Sequence, residues 1–213
     1  MKSFAVTLLA LDLETACGFA IFKDGKFISG TKKLGTYKEK FGARFHEFRT
    51  WLLNIIAKHN IEAVYFERVF GHKGVEAAHC YGGFLYMLAS VCFKQNIPCT
   101  GLTVQAIKKF MTGKGNATKD EMIAAARRKG FNPKTDDEAD AIAIMLLAIE
   151  DQINRDKKTN KSGSESFQAL GESGSRDPTI SLASDFFRGL TPNNHSKTAD
   201  SKKNKISVRM IFK

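Results

Sequence analysis

The chain has 213 residues, 43% of them hydrophobic, with 33 Lys and Arg against 22 Asp and Glu and a formal charge of +11. That length allows one sizeable domain with its own core plus an extension, and the positive surplus favours a polyanionic partner such as nucleic acid or an acidic membrane surface. Cys17, Cys80, Cys92 and Cys99 form no CxxC pair, which excludes a disulfide framework and a cysteine-built zinc site and points to buried thiols in a reducing compartment.

The first element is Val6 to Leu13, a nearly unbroken apolar run with one carboxylate, Asp12. A run this short and apolar reads as a central strand buried on both faces. A charge there must be hydrogen-bonded, paired or bound to a metal. Asp12 is therefore either a structural acid satisfied by backbone or one ligand of a cation site. With Asp12 and Glu14 in the apolar run, no signal peptide is expected. No stretch reaches transmembrane length without a charge. The expectation is a cytoplasmic protein with no membrane contact.

After a turn at Glu14-Thr15-Ala16, Cys17 to Phe22 reads as a second strand. Asp24-Gly25 is a hairpin signal, with Lys26 to Gly30 as the third strand. From about Lys40 to Asn60, Phe41, Phe45, Phe48, Leu52, Ile55 and Ile56 recur at three- and four-residue steps, which predicts a helix. Ile61 to Glu67 is a second buried-strand candidate, again ending in a carboxylate. Val69 to Gly74 reads as a loop and Val75 to Gln95 as a helix. Gly82-Gly83 inside that helix costs roughly 1 kcal/mol per Gly. Such a pair suits either a close helix–helix or subunit contact or a local kink.

Ile97 to Leu102 is a short strand, and Thr103 caps a short helix from Val104 to Met111. Thr112 to Ala117 is a glycine-rich basic loop. Thr118 and Glu121 complete a capping box for a helix ending near Lys129 and Gly130. After Asn132-Pro133 a last helix begins near Asp136. From about 154 the composition turns to Ser, Asn, Lys and Gly. Residues 155–213 carry 12 Lys and Arg against 6 Asp and Glu. Two units are expected: a folded domain over 1–153 and a basic, largely disordered tail over 154–213. The clusters Phe186-Phe187 and Ile206 to Phe212 are its only candidates for docking or a strand.

The element order implies a mixed sheet flanked by helices. It allows one set of acids to gather: Asp12, Glu67, and the pair Asp137 and Asp140, which share a helix face at i, i+3. Asp137 and Asp140 could instead serve only the helix macrodipole, and Glu67 could pair with Arg68. The set is all oxygen, which suits Mg2+ or Mn2+ more than zinc. Two such ions can activate water and stabilise the leaving oxygen of a phosphodiester.

In order and spacing the chain resembles the RuvC-type Holliday junction resolvases of the RNase H-like superfamily, especially those of phages and prophages. The resemblance covers roughly residues 5–150. It is carried by Leu9-Ala10-Leu11-Asp12 with Thr15 and Gly18-Phe19-Ala20, by Phe66-Glu67-Arg68, and by Ala77-Ala78-His79 with Tyr81-Gly82-Gly83-Phe84. Ile107-Lys108-Lys109, Thr112 to Ala117 with Lys119, and Asp137-Glu138-Ala139-Asp140-Ala141 complete it. The resemblance implies an α/β, RNase H-like fold: a mixed five-stranded sheet, antiparallel meander plus parallel strands, flanked by helices. It implies four acids holding two Mg2+ ions, with Mn2+ able to substitute and no organic cofactor. Asp12, Glu67 and Asp140 match directly. The fourth position is Asp137, with Asp136 or Glu138 as alternatives. Leu13-Glu14 stands where bacterial members have Pro-Gly, and Glu14 reads as solvent-facing.

The resemblance also implies DNA contacts from Lys108, Lys109, Lys114 and Lys119, with Asn116 in the glycine-rich loop between them. Backbone N–H groups of Gly113 to Ala117 leading into a helix start form a phosphate seat. Arg68, His72 and Lys73, with Phe70 stacking on a base, would face the scissile region. Two nicks across a junction imply a homodimer, with the Gly82-Gly83 helix at its contact. The expected function is Mg2+-dependent endonucleolytic resolution of four-way and other branched DNA, in a bacterial or phage-infected cell. The alternatives are a less selective nuclease on forks, flaps or RNA-containing structures, and a protein that binds branched DNA without cutting it. An actin-like nucleotide-binding fold would need a second half for which 213 residues leave little room.

Overall fold

A computed structural model describes residues 6–35, 41–72 and 74–164. The expected tail beyond 164, with its two apolar clusters, and Lys73 lie outside the described residues. Five strands form one sheet: β1 (Leu8–Asp12), β2 (Ala16–Lys23), β3 (Lys26–Lys33), β4 (Ala63–Arg68) and β5 (Cys99–Thr103). Their order is β3-β2-β1-β4-β5. β1–β2 and β2–β3 are antiparallel, while β1–β4 and β4–β5 are parallel. The expected mixed five-stranded sheet is present.

β1 is central and buried along its whole length. The Asp24-Gly25 turn between β2 and β3 takes positive φ at both residues, 50° and 74°. That twist matches the right-handed twist of the flanking strands. β3 runs three residues past the expected end at Gly30, as a half-buried edge strand of mixed polarity.

Five helices cover the sheet: α1 (Phe41–His59), α2 (Val75–Lys94), α3 (Val104–Thr112), α4 (Lys119–Arg128) and α5 (Asp136–Ser164). The last passes the expected boundary at 153 by a further 11 residues. Each strand residue points opposite to its neighbour, and the two faces build two different cores. Leu9, Leu11, Val64 and Phe66 face α1 and α2, where Phe48, Trp51, Leu52, Phe84 and Leu88 meet them. Leu8, Ala10, Ala20, Phe22 and Tyr65 face α5, whose contribution includes Ala139, Ala141, Ala143 and Ala148. Small residues let α5 lie close on the strands, and each fully buried Leu contributes roughly 1.5–3 kcal/mol.

Two sequence expectations shift. Of the periodic apolar residues of α1, Phe48, Leu52, Ile55 and Ile56 are buried together with Trp51, whereas Phe41 at the helix start is 43% exposed. Cys17 and Cys92 are buried thiols, but Cys80 and Cys99 are only half-buried. The Gly82-Gly83 pair divides. A Cβ on Gly83 would come within 2.2 Å of the Phe45 ring on α1, whereas Gly82 faces open space.

Candidate active site

Period two fixes the first pair of acids. Asp12 shares its face of β1 with Leu8 and Ala10, and Glu67 shares its face of β4 with Tyr65, so both point toward α5. Leu11 and Phe66 are the last paired residues of the two parallel strands. Asp12 and Glu67 follow them at the same end of neighbouring strands. Asp12 is 5% exposed. Tyr81 on α2 steadies this end: its hydroxyl donates to the Glu67 carbonyl (3.0 Å) and accepts from the Val69 N–H (3.1 Å).

A glycine brings α5 to them. Gly18 pairs with Asp12 across β1–β2, and a Cβ there would lie 1.9 Å from the Asp137 carbonyl oxygen. Only a residue without a side chain lets the first turn of α5 rest on the strand at this register. Asp137 and Asp140 thus arrive beside Asp12 and Glu67. The two neighbouring acids are engaged elsewhere. Glu138 is buried and accepts from the Ser29 hydroxyl (2.8 Å) and the Lys134 N–H (2.9 Å). Asp136 is paired with Lys119.

The four acids lie in one another's field. Burial raises Asp12 well above the ordinary carboxylate range, and the charges of Glu67, Glu14, Asp140 and Asp137 raise it further. Glu67 is pushed up to about 7, first by burial and then by Asp140 and Glu14. Asp140 is pushed up to about 6, mainly by burial, with Lys108 opposing. Asp137 is raised by burial, Asp136 and Glu14. Glu14 is exposed, as expected, but its charge reaches every one of these except Asp140.

Among the described residues, none of the four takes part in an ion pair. Nor do any three His, Cys, Asp or Glu side chains stand close enough together to hold an ion as they are oriented. The residues share a field, not a set of contacts. An all-oxygen set with no ion-pair partner among the described residues fits a hard divalent cation, which Asp12, Glu67, Asp137 and Asp140 would hold.

The basic residues sort by distance from this acid end. Lys108 on α3 is half-buried, and its charge acts on both Glu67 and Asp140. Lys119, at the start of α4, acts on Asp137 and Asp140. Lys109 and Asn116 instead line a separate depression of about 510 Å3 with Gln105 and Gly115. Lys114 is salt-bridged to Glu121 (3.0 Å), the capping-box residue of α4. Arg68 lies over the ring of Phe70 (4.7 Å), which is 75% exposed, and His72 packs against Tyr81 (4.9 Å between rings). A cavity of about 530 Å3 is lined by Leu13, Glu14, Thr15, Arg44, His72 and Tyr81 among others, and by none of the four acids. The sequence did not reveal Gly18 as the seat of α5, Tyr81 as the brace of Glu67, or the carboxylates holding Lys114 and Lys119. Only Gly18 left a signal, a glycine inside an otherwise apolar strand.

Three comparisons bear on this arrangement. The family described as Crossover junction endodeoxyribonuclease RuvC matches residues 14–148. The protein of that name from Ehrlichia chaffeensis is 29% identical over 149 residues, covering 65% of this chain and 93% of its own length. T. thermophilus RuvC in complex with Holliday junction substrate superposes with a TM-score of 0.56 at 20% identity, over 65% of this chain and 90% of that one. The Thermus thermophilus RuvC structure superposes with a TM-score of 0.54 at 20% identity and the same coverage. These two likenesses carry the fold.

Proposed function

The chain belongs to the RuvC family of crossover junction endodeoxyribonucleases, and from that premise we propose that it resolves four-way DNA junctions by paired, metal-dependent nicks. The observation that carries this reading is the convergence of Asp12, Glu67, Asp137 and Asp140, from three elements, with no cation paired to any of them among the described residues. Mg2+ is the metal of choice, two ions per site with Mn2+ able to substitute; when bound, they supply an activated water and stabilise the leaving 3′-oxygen.

The protein's own side chains do the rest. β1 is buried along its length and pairs with β4, so Asp12 and Glu67 are mounted on neighbouring strands of one sheet. Gly18 sets the depth of α5 and therefore the reach of Asp137 and Asp140. Lys108, whose charge acts on Glu67 and Asp140, offsets the acids' repulsion of a phosphodiester. Lys119 meets the backbone at the rim. Lys109, Lys114, Asn116 and the N–H groups of Gly113 to Ala117 seat a neighbouring phosphate at the start of α4. Phe70, braced by Arg68 and beside His72, offers a stacking face at the branch point, with Lys73 next to it in sequence.

Two nicks require two sites, and α2 supplies a symmetric contact. Val75, His79, Gly82, Tyr86, Ala89 and Phe93 recur at alternating four- and three-residue steps, and all are exposed. Val75, Tyr86 and Phe93 are 71%, 72% and 90% exposed. Such a seam suits a second copy of the same helix, with open Gly82 allowing close approach.

Cleavage of a substrate panel tests the proposal. Four-way junction, fork, flap, linear duplex and RNA–DNA hybrid are titrated with Mg2+. The expected outcome is symmetric nicking of the junction well above the others. Equal cutting of forks, flaps or hybrids would assign a less selective nuclease. Tight junction binding without cutting at any Mg2+ concentration would assign a binding protein.

A further inference from the structure

The described surface offers few exposed ion pairs, and one of them sits in a place where folding gains little from it. Lys119 opens α4 and Asp136 opens α5, 17 residues apart, and the ammonium donates to the Asp136 carboxylate. The Lys119 side chain is 74% exposed and that of Asp136 34%. Exposed pairs of this kind add little to stability. α4 has its own capping box from Thr118 and Glu121, and α5 is anchored by Glu138, which reaches Ser29 and Lys134. The pair is therefore not what fixes either helix.

Its position relative to the acids is more telling. Lys119 lies in the field of Glu14 and Asp137 as well as Asp136, and it lowers Asp137 and Asp140 in turn. Five carboxylates, Asp12, Glu14, Glu67, Asp137 and Asp140, share one field at this end of the sheet. A flexible lysine stem in that field has several acids to fall upon. Asp136 is next to Asp137 in sequence, more exposed than Asp12, and bonds the ammonium first.

We propose that Asp136 is a positioning residue for Lys119: it holds the ammonium at the rim, away from the buried acids, and yields it to a phosphate of the incoming strand. The carboxylate occupies the place of that phosphate until DNA arrives. This inference rests on the nuclease reading above and adds a residue that reading does not use. One consequence separates it from a simple loss of negative charge: the effect must pass through Lys119, so it must vanish when Lys119 is absent. Asp136→Asn leaves the number of phosphate contacts unchanged, so the slope of log K against log salt, set by counterions released from the DNA, should stay close to wild type.

The experiment measures four-way junction affinity in metal-free buffer across a salt series. It uses the full chain, Asp136→Asn, Asp136→Glu, Lys119→Ala, and Lys119→Ala with Asp136→Asn. Asp136→Asn should tighten binding at low salt by up to about fivefold, the worth of an exposed ion pair, with the slope of wild type. Asp136→Glu should restore wild-type behaviour. The Asn substitution should change nothing in the Lys119→Ala background. Tightening of equal size in that background would show a general charge effect and overturn the inference, as would unchanged or weakened binding by Asp136→Asn. Failure of the unsubstituted chain to bind junction would remove the nuclease reading and the inference together.

Discussion

The acid end of the central strands and the lysine rim above it handle charge in opposite ways. The acids sit on buried backbone, with no cation paired to them among the described residues, and burial pushes Glu67 to about 7 and Asp140 to about 6. The rim lysines are exposed, and two of them, Lys114 and Lys119, are already paired with carboxylates. The first arrangement stores unfavourable electrostatic energy at fixed points, which a divalent cation can relieve. The second keeps charge mobile, at little cost, for a polyanion that arrives in many registers. The difference predicts large, all-or-none effects at the strand ends and small, graded, salt-dependent ones at the rim.

The largest expected effect is at Glu67. Glu67→Gln preserves size and removes a charge from the buried set, and junction cleavage should fall by about 10³-fold or more, the scale of losing a principal electrostatic contribution. Circular dichroism and junction binding should be unchanged. A cleavage rate within tenfold of wild type would place the chemistry elsewhere.

The stored repulsion should also appear as a pH dependence of stability without metal. Glu67 and Asp140 titrate higher folded than unfolded, so the folded protein binds more protons between about pH 3.8 and 7. Stability from these groups is fully present below that window and is lost as pH rises through it, by about 3 kcal/mol from Glu67. Chemical denaturation in chelator should show this decline, and Mg2+ should restore more stability at pH 8 than at pH 5. Stability that climbs with pH across the window in chelator would contradict the description of the site.

Gly18 links the two regions, because it seats the helix that carries both Asp137 and Asp136. Gly18→Ala forces a methyl against the Asp137 carbonyl. The expected cost is about 1–3 kcal/mol of stability, with a loss of cleavage larger than the loss of binding. Parallel losses would mean that the glycine serves packing alone.

Smallest are the lysine effects. Lys109→Ala, at the outer depression, should weaken binding uniformly across sequences and lower the salt slope by about 0.9. Lys108→Ala should do the same and also slow cleavage at saturating enzyme, since Lys108 acts on Glu67 and Asp140. Identical kinetic profiles for the two variants would erase the distinction between site and rim.

Much of the acid end was legible in the sequence because strand periodicity is strict. Once Leu8 and Ala10 face one side, Asp12 must follow, and Tyr65 directs Glu67 in the same way. The Asp24-Gly25 hairpin and the Thr118–Glu121 capping box were legible because their chemistry is local. Where Asp136, Asp137 and Glu138 each point was not. Three consecutive helical residues point 100° apart, and which one meets the strands depends on how α5 is rotated where it rests on Gly18. The pairing of Lys119 with Asp136 depends on two loops meeting, which no local pattern encodes. β3 ran past Gly30 because an edge strand needs hydrogen bonds from one neighbour only, and its polar residues gave no alternation to read.

We propose that Asp12 is a metal ligand mounted on the central strand, not a structural acid. Cleavage of a synthetic four-way junction by the wild-type chain and by Asp12→Asn, each with and without Mg2+, decides between the two. Paired nicks are expected only for wild type with Mg2+, while Asp12→Asn binds junction and melts no lower than wild type in chelator. Nicking by Asp12→Asn at the wild-type rate, or by wild type in chelator, would contradict it.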